Sequence, residues 1–245
     1  MEDQLKSFSM NDFLAFLFPG MLLLFCIFLF LLLTPLSTAI QNLSLGIVTS
    51  VIFLAFSYIL GVLSSRAIPN IEELIFGGFK KKPDPRSDIS LYQFKNDLIK
   101  AFKKVFSVEN PEEYFRSSTA FYYCRAVLRL KYDRVSYDAE WQNDLYQLRR
   151  NSIIPITFLV CDGIAWGING IQNNQSAWGI ALIIISCLIG FFVLFISLPK
   201  AMYANRKREA RIIFSTFIVA QRLNLLNIKE DIVTKYIYFK QQTGN

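Results

Sequence analysis

The chain has 245 residues, 53% hydrophobic and 18% charged, with net charge +7, no histidine and four cysteines. Its mean hydropathy of +0.35 is too high for an average soluble domain. The missing histidine excludes Ser-His-Asp and Cys-His catalysis, a His-containing zinc site and a His-dependent ribonuclease pair.

Charge divides the chain. No charged residue occurs from Phe13 to Ser65, and Asp162 is the only one from Asn151 to Pro199. A bilayer core of roughly 30 Å needs about 20 apolar residues per helix, so each stretch is long enough for a helical hairpin. The expected fold is all-α and integral to a membrane, with four spans near Phe13–Leu33, Leu45–Leu63, Ile153–Gly170 and Ala177–Leu198. Residues 1–65 form the amino-terminal segment and first hairpin, and 66–150 a helical cytoplasmic domain with a linker at 77–87. Residues 151–199 form the second hairpin and 200–245 a basic cytoplasmic helical tail. A cleaved signal peptide is not expected, because the first apolar run is too long and lacks a basic start or a small-residue cleavage site.

Lys and Arg are absent from both short turns, whereas sixteen fall in Arg66–Arg150 and nine in Lys200–Asn245. Excess positive charge marks the cytoplasmic side. Both termini and the middle segment are therefore expected in the cytoplasm, with the spans in the inner membrane. Only three acids offset the nine bases of the tail, a balance that suits anionic lipid headgroups better than nucleic acid. Nucleic acid enters only as an indirect partner. Cys26, Cys161 and Cys187 fall in spans and Cys124 in the reducing cytoplasm, so no disulfide framework is expected. The glycosylation sequons at Asn42 and Asn174 read as coincidence, because the turns hug the bilayer.

Asn11 or Asp12 is placed to cap span one, and Pro19-Gly20 loosens or kinks it. The rest of that span is apolar all round and reads as peripheral. Span two carries Ser50, Ser57 and Ser64 at seven-residue intervals with Gly61 among them, which puts them on one stripe. Span four repeats the pattern with Gly179, Ser186, Gly190 and Ser197. Small residues let helix backbones approach closely. Gly61, Ser186 and Gly190 are read as helix packing, and Ser50, Ser57 and Ser64 alternatively as a mildly polar lining between subunits.

Gly77–Arg86 reads as a linker. Three helices follow: Ile89–Ser107, one starting at Asn110-Pro111-Glu112-Glu113 and running to about Lys131, and Arg134–Arg150. A domain of this size is marginal alone, so docking against the tail or a second copy is expected. The third helix should continue into span three and pass movement to it. Past Pro199 the helix carries Lys200, Arg206, Lys207, Arg208 and Arg211, read as contacts to anionic lipid or a partner. An amphipathic helix at Lys229–Lys240 closes the chain.

Asp162 is the singular residue. Intramembrane acids face cavities or partners. With Trp166 and Trp178 as interfacial anchors, it lies about one turn below the outer surface, where water reaches it. A ring of copies there would form the mouth of a cation pore. Carboxylate-only catalysis through Glu112, Glu113, Asp133, Asp138, Glu140 or Asp144 is the weaker reading. No phosphate loop, metal-ligand spacing or cofactor motif occurs, so no cofactor and no enzyme activity are expected.

"DFLAFLFPG" opening span one, "FSYILGVLSS" closing span two and "RRN" entering span three resemble small bacterial four-pass membrane proteins of antiphage defence loci. The membrane accessory proteins of certain CRISPR loci and the membrane subunit of Kiwa systems are similar in outline. The resemblance implies an antiviral membrane effector, and it carries over no functional residue. The expected function is thus a non-catalytic homo-oligomer that forms a pore or perturbs the membrane under control of its cytoplasmic domain. The alternative is a scaffold that recruits a soluble cytoplasmic protein without conducting.

The topology has a direct test in intact cells. In a background lacking the native cysteines, cysteines replacing Ser37 or Asn173 should label from outside, and those replacing Ser87 or Thr243 should not. Labelling of Ser37→Cys and Ser87→Cys from one side would refute four spans.

Overall fold

Long runs of Leu, Ile and Phe leave the backbone one local way to satisfy its polar groups out of water, the helix. The computed structural model describes residues 13–34, 47–76, 84–131, 133–223 and 225–226, and every element among them is helical. A π-helical turn, Phe13–Leu17, leads into α1 (Phe18–Leu31), and α2 is Ile47–Phe76. A 3-10 turn, Ile89–Leu91, precedes α3 (Lys95–Phe106), followed by α4 (Pro111–Tyr114), α5 (Thr119–Lys131) and α6 (Asp133–Asn151). The remaining helices are α7 (Ile153–Gln172) and α8 (Ser176–Phe191), the latter passing through a π-helical turn, Phe192–Ser197, into α9 (Leu198–Arg222). The amino-terminal segment with its proposed cap, the first turn, linker residues 77–83 and the helix expected at Lys229–Lys240 lie outside the described residues.

Among the described residues, three helical stretches are long and apolar enough to cross a membrane: Ser50–Pro69, Asp138–Gln172 and Ser176–Arg222. The apolar stretch Ala15–Leu31 is shorter. Two soluble-type helices depart from expectation. The helix expected from Ile89 starts at Lys95, because Asp88 accepts from the Ser90 backbone N–H and Tyr92 is extended. The helix expected from Asn110 to Lys131 breaks between Tyr114 and Thr119, where Ser117 Oγ accepts from the Thr119 N–H. Serine and threonine side chains compete in this way for backbone groups.

The chain divides into two compact units. The first combines Met1–Lys81 with Asp144–Met202. In it α1 and α2 run antiparallel in backbone contact: a Cβ at Gly20 would fall on the Ser57 carbonyl, and one at Gly61 on the Phe16 backbone. α7 and α8 are likewise antiparallel, with Gly163 against Ser186, Gly167 against Gly179 and Gly190 against Val160. Leu23, Ile68, Ile153, Ile154, Leu194, Leu198 and Met202 form the apolar centre.

The second unit combines Lys82–Asn143 with Tyr203–Asn245. Its core is aromatic. Phe102 packs on Phe106, Tyr114 and Phe115, and Phe214 and Phe217 of α9 complete the cluster. A helix set this small is marginal alone, and α9 adds Ile213, Phe214 and Phe217 to its core. Tyr92 is buried with its hydroxyl donating to the Pro85 carbonyl at 2.9 Å, and burial pushes that hydroxyl's pKa up.

Because Phe217 is fully buried and touches both Phe102 and Phe106, Phe217→Ala should cost about 3–5 kcal/mol. Limited proteolysis should then cut within residues 84–131 far faster than in the wild type. Unchanged resistance would show that α9 is dispensable to this core.

Candidate functional site

Polar groups buried in an apolar bundle are the first place to look for function, since each carries a desolvation cost. Asp162 is the tenth of the twenty residues of α7 and only 3% exposed. Its polar neighbour is the Cys26 side chain of α1, 2% exposed. The Cys26 thiol also donates to the Pro155 carbonyl at 3.6 Å. Asp162 Oδ2 has no hydrogen-bond partner among the described residues. In this chain α1 covers the carboxyl, which corrects the expectation that water reaches it. The sequence shows the charge, but not which helix shields it.

The serine stripe of α2 is not a lining within this chain. Ser57 and Ser64 are buried, and their hydroxyls donate to the Phe53 and Gly61 carbonyls at 2.8 and 2.9 Å. Ser50 alone of the three is exposed. Gly61, Ser186 and Gly190 all make their close contacts inside the chain, to Phe16, Gly163 and Val160. Ser57, Gly61, Ser186 and Gly190 are therefore already used in joining α1 to α2 and α7 to α8.

Trp166 does more than sit at an interface. Its Nε1 donates to the Leu29 carbonyl at 3.3 Å, one of the carbonyls left open at the end of α1. Trp178 is 80% exposed, as an interfacial anchor would be.

The second unit holds a charged network that periodicity does not reveal. Glu209 is fully buried and receives Arg206 at 2.8 Å and Arg125 at 3.2 Å. Arg206 also donates to Asn143 at 2.9 Å. Arg206 is thus no free lipid or partner contact, a correction to its place in the basic group. Lys200, Lys207, Arg208 and Arg211 are exposed. Burial lowers the Arg125 pKa, and Glu209 offsets only part of that. Nearby, Arg86 bonds Asp84 and Tyr122 and lies over the Phe121 and Tyr122 rings. Burial raises the Asp84 pKa, but the Arg86 hydrogen bonds outweigh it and the net shift is downward.

Glu112 and Glu113 sit exposed in the first turn of α4, Asp138 is exposed, and Glu140 pairs with Arg129. Asp144 is buried on α6, and the side chain of Asp133 lies outside the described residues. Cys124 is fully buried, which pushes its thiol pKa well up and leaves it inert. No group of three metal-ligating side chains occurs among the described residues. No protein-family model, curated protein or solved structure matches the chain.

Removing Glu209 takes the shared carboxylate from two half-buried arginines, Arg125 and Arg206. Glu209→Ala should therefore destabilise the protein by about 3–5 kcal/mol, and adding Arg125→Met should recover part of the loss. Denaturant unfolding of the single and double variants checks this; additive losses would mean the pair is not coupled.

Proposed function

We propose that this chain is a non-catalytic, four-pass inner-membrane protein that anchors a helical cytoplasmic domain as a scaffold for a soluble partner. The observation that carries the reading is the outward face of the first unit. Every exposed residue of α2 between Val51 and Leu63 is apolar. On α8 and the turn after it, the exposed residues from Trp178 to Ile196 are apolar apart from Cys187. A continuous apolar exterior of this extent is a lipid-facing surface. A conducting wall would instead show polar groups to water.

The fourth span rests on packing. Ala15–Leu31 has 17 residues, about 25 Å of helix and the short end of what crosses a bilayer. Its partners support it: Phe16, Gly20 and Phe28 meet Gly61, Ser57 and Phe53 of α2. Asn151 meets Ala15 and Trp166 meets Leu29, so α1 and α7 run in the same direction. Two hairpins entering from one side require that arrangement. Orientation follows the distribution of Lys and Arg, with Lys200, Lys207, Arg208 and Arg211 toward anionic headgroups. Exposed Tyr122 and Trp141 offer the aromatic contacts that protein partners use.

A second reading, the oligomeric pore or antiviral effector that the resemblance implies, draws on Asp162. A carboxyl oxygen with no partner among the described residues suits a group that finds one in another state. Proteoliposome flux separates the two readings. With matched incorporation, wild type and Asp162→Asn should both leak cations no faster than empty vesicles. A cation flux in the wild type that Asp162→Asn lowers would overturn the anchor reading.

A further inference from the structure

Two of the prolines in this unit follow a π-helical turn. Pro19 lacks an N–H, so the Ala15 carbonyl loses its helical donor, and the turn before it, Phe13–Leu17, is π-helical. Pro199 likewise follows the π-helical turn Phe192–Ser197. Such turns recur at functional sites in helices. One short stretch, residues 149–151, bonds to both helices. Asn151, the last residue of α6 and 2% exposed, donates its Nδ2 to the Ala15 carbonyl, the acceptor that Pro19 leaves open. Arg149 donates its Nη1 to the Ala201 carbonyl at 2.9 Å, two residues past Pro199. Just beyond, Ile153 and Ile154 belong to the same apolar cluster as Leu23, Leu194, Leu198 and Met202.

We propose that the Arg149–Asn151 stretch is a conformational clamp: it bonds α1 at its proline break and α9 just past Pro199, and its release opens the seam between α1 and α7. That seam covers Cys26 and Asp162. The device is separate from the choice between anchor and pore, because the seam can open to water without passing ions across the membrane. Arg149 has further interactions besides the one to Ala201. Asn151 therefore gives the cleaner handle.

The native Cys26 thiol reports the seam. Its modification by N-ethylmaleimide is followed by peptide mass spectrometry on the full-length protein in lipid nanodiscs. Asn151→Leu keeps the volume and removes the donor. It should speed Cys26 labelling about ten-fold, equivalent to about 1.4 kcal/mol of opening. Pro19→Ala restores an N–H for the Ala15 carbonyl and stiffens α1, so Pro19→Ala with Asn151→Leu should label near the wild-type rate. Asn151→Ala is the second variant. Should either accumulate folded only together with Pro19→Ala, that dependence is also the expected result. An unchanged rate in Asn151→Leu, or an equal acceleration with and without Pro19→Ala, overturns the clamp. So does a failure to fold that Pro19→Ala does not relieve.

Discussion

A backbone carbonyl in hydrocarbon has no water to turn to, and the first unit is arranged around one such group. Pro19 removes the donor for the Ala15 carbonyl, and Asn151 supplies another. That substitution works only if α1 lies directly beside α7. The requirement fixes the rest of α1: Gly20 and Gly61 bring it into backbone contact with α2, and Trp166 ties down its far end at Leu29. A short helix of almost uniform hydrophobicity, with no face of its own to specify an orientation, thereby gains one rotation and one depth.

The second unit solves a different problem. Its helices are short, and the aromatic cluster they form with α9 is its apolar core. Within it Glu209 is fully buried between two arginines. A buried ion triad of this kind is poor as a source of stability, because desolvation absorbs much of the Coulombic gain. Its stronger effect is selective. An α9 rotated or shifted by one residue would leave Glu209 unpaired in the interior, so the triad penalises wrong registers more than it rewards the right one.

What could be read from the sequence follows from which signals are local. Charge-free runs and their lengths mark α1, α2, α7 and α8, and seven-residue spacing puts Ser57, Gly61 and Ser64 on one stripe of α2. Local patterning does not say what covers a stripe. Ser57 and Gly61 face α1 and not a second copy, and Asp162 is shielded by Cys26, far from it in sequence. The Arg206–Arg211 stretch shows the same limit. Its composition reads as a solvated basic surface, yet Arg206 and Glu209 sit three residues apart and turn inward to meet Asn143 and Arg125. The break at Ser117 was locally visible in its Ser-Ser-Thr run, and the strong apolar periodicity on either side masked it.

The polar groups of the first unit bear on whether such a bundle could also conduct. Asn151, Ser57 and Ser64 are engaged with backbone carbonyls, and Asp162 lies against Cys26. To line a passage, some of them would have to leave those positions, and the first to leave would expose the carbonyl or seam it protects. Integrity and conduction therefore draw on the same few side chains. An anchor has no such conflict: it needs only an apolar exterior and satisfied interior groups, and α2 and α8 provide the exterior without using any of the polar set. That asymmetry is the physical ground for placing the anchor ahead of the pore.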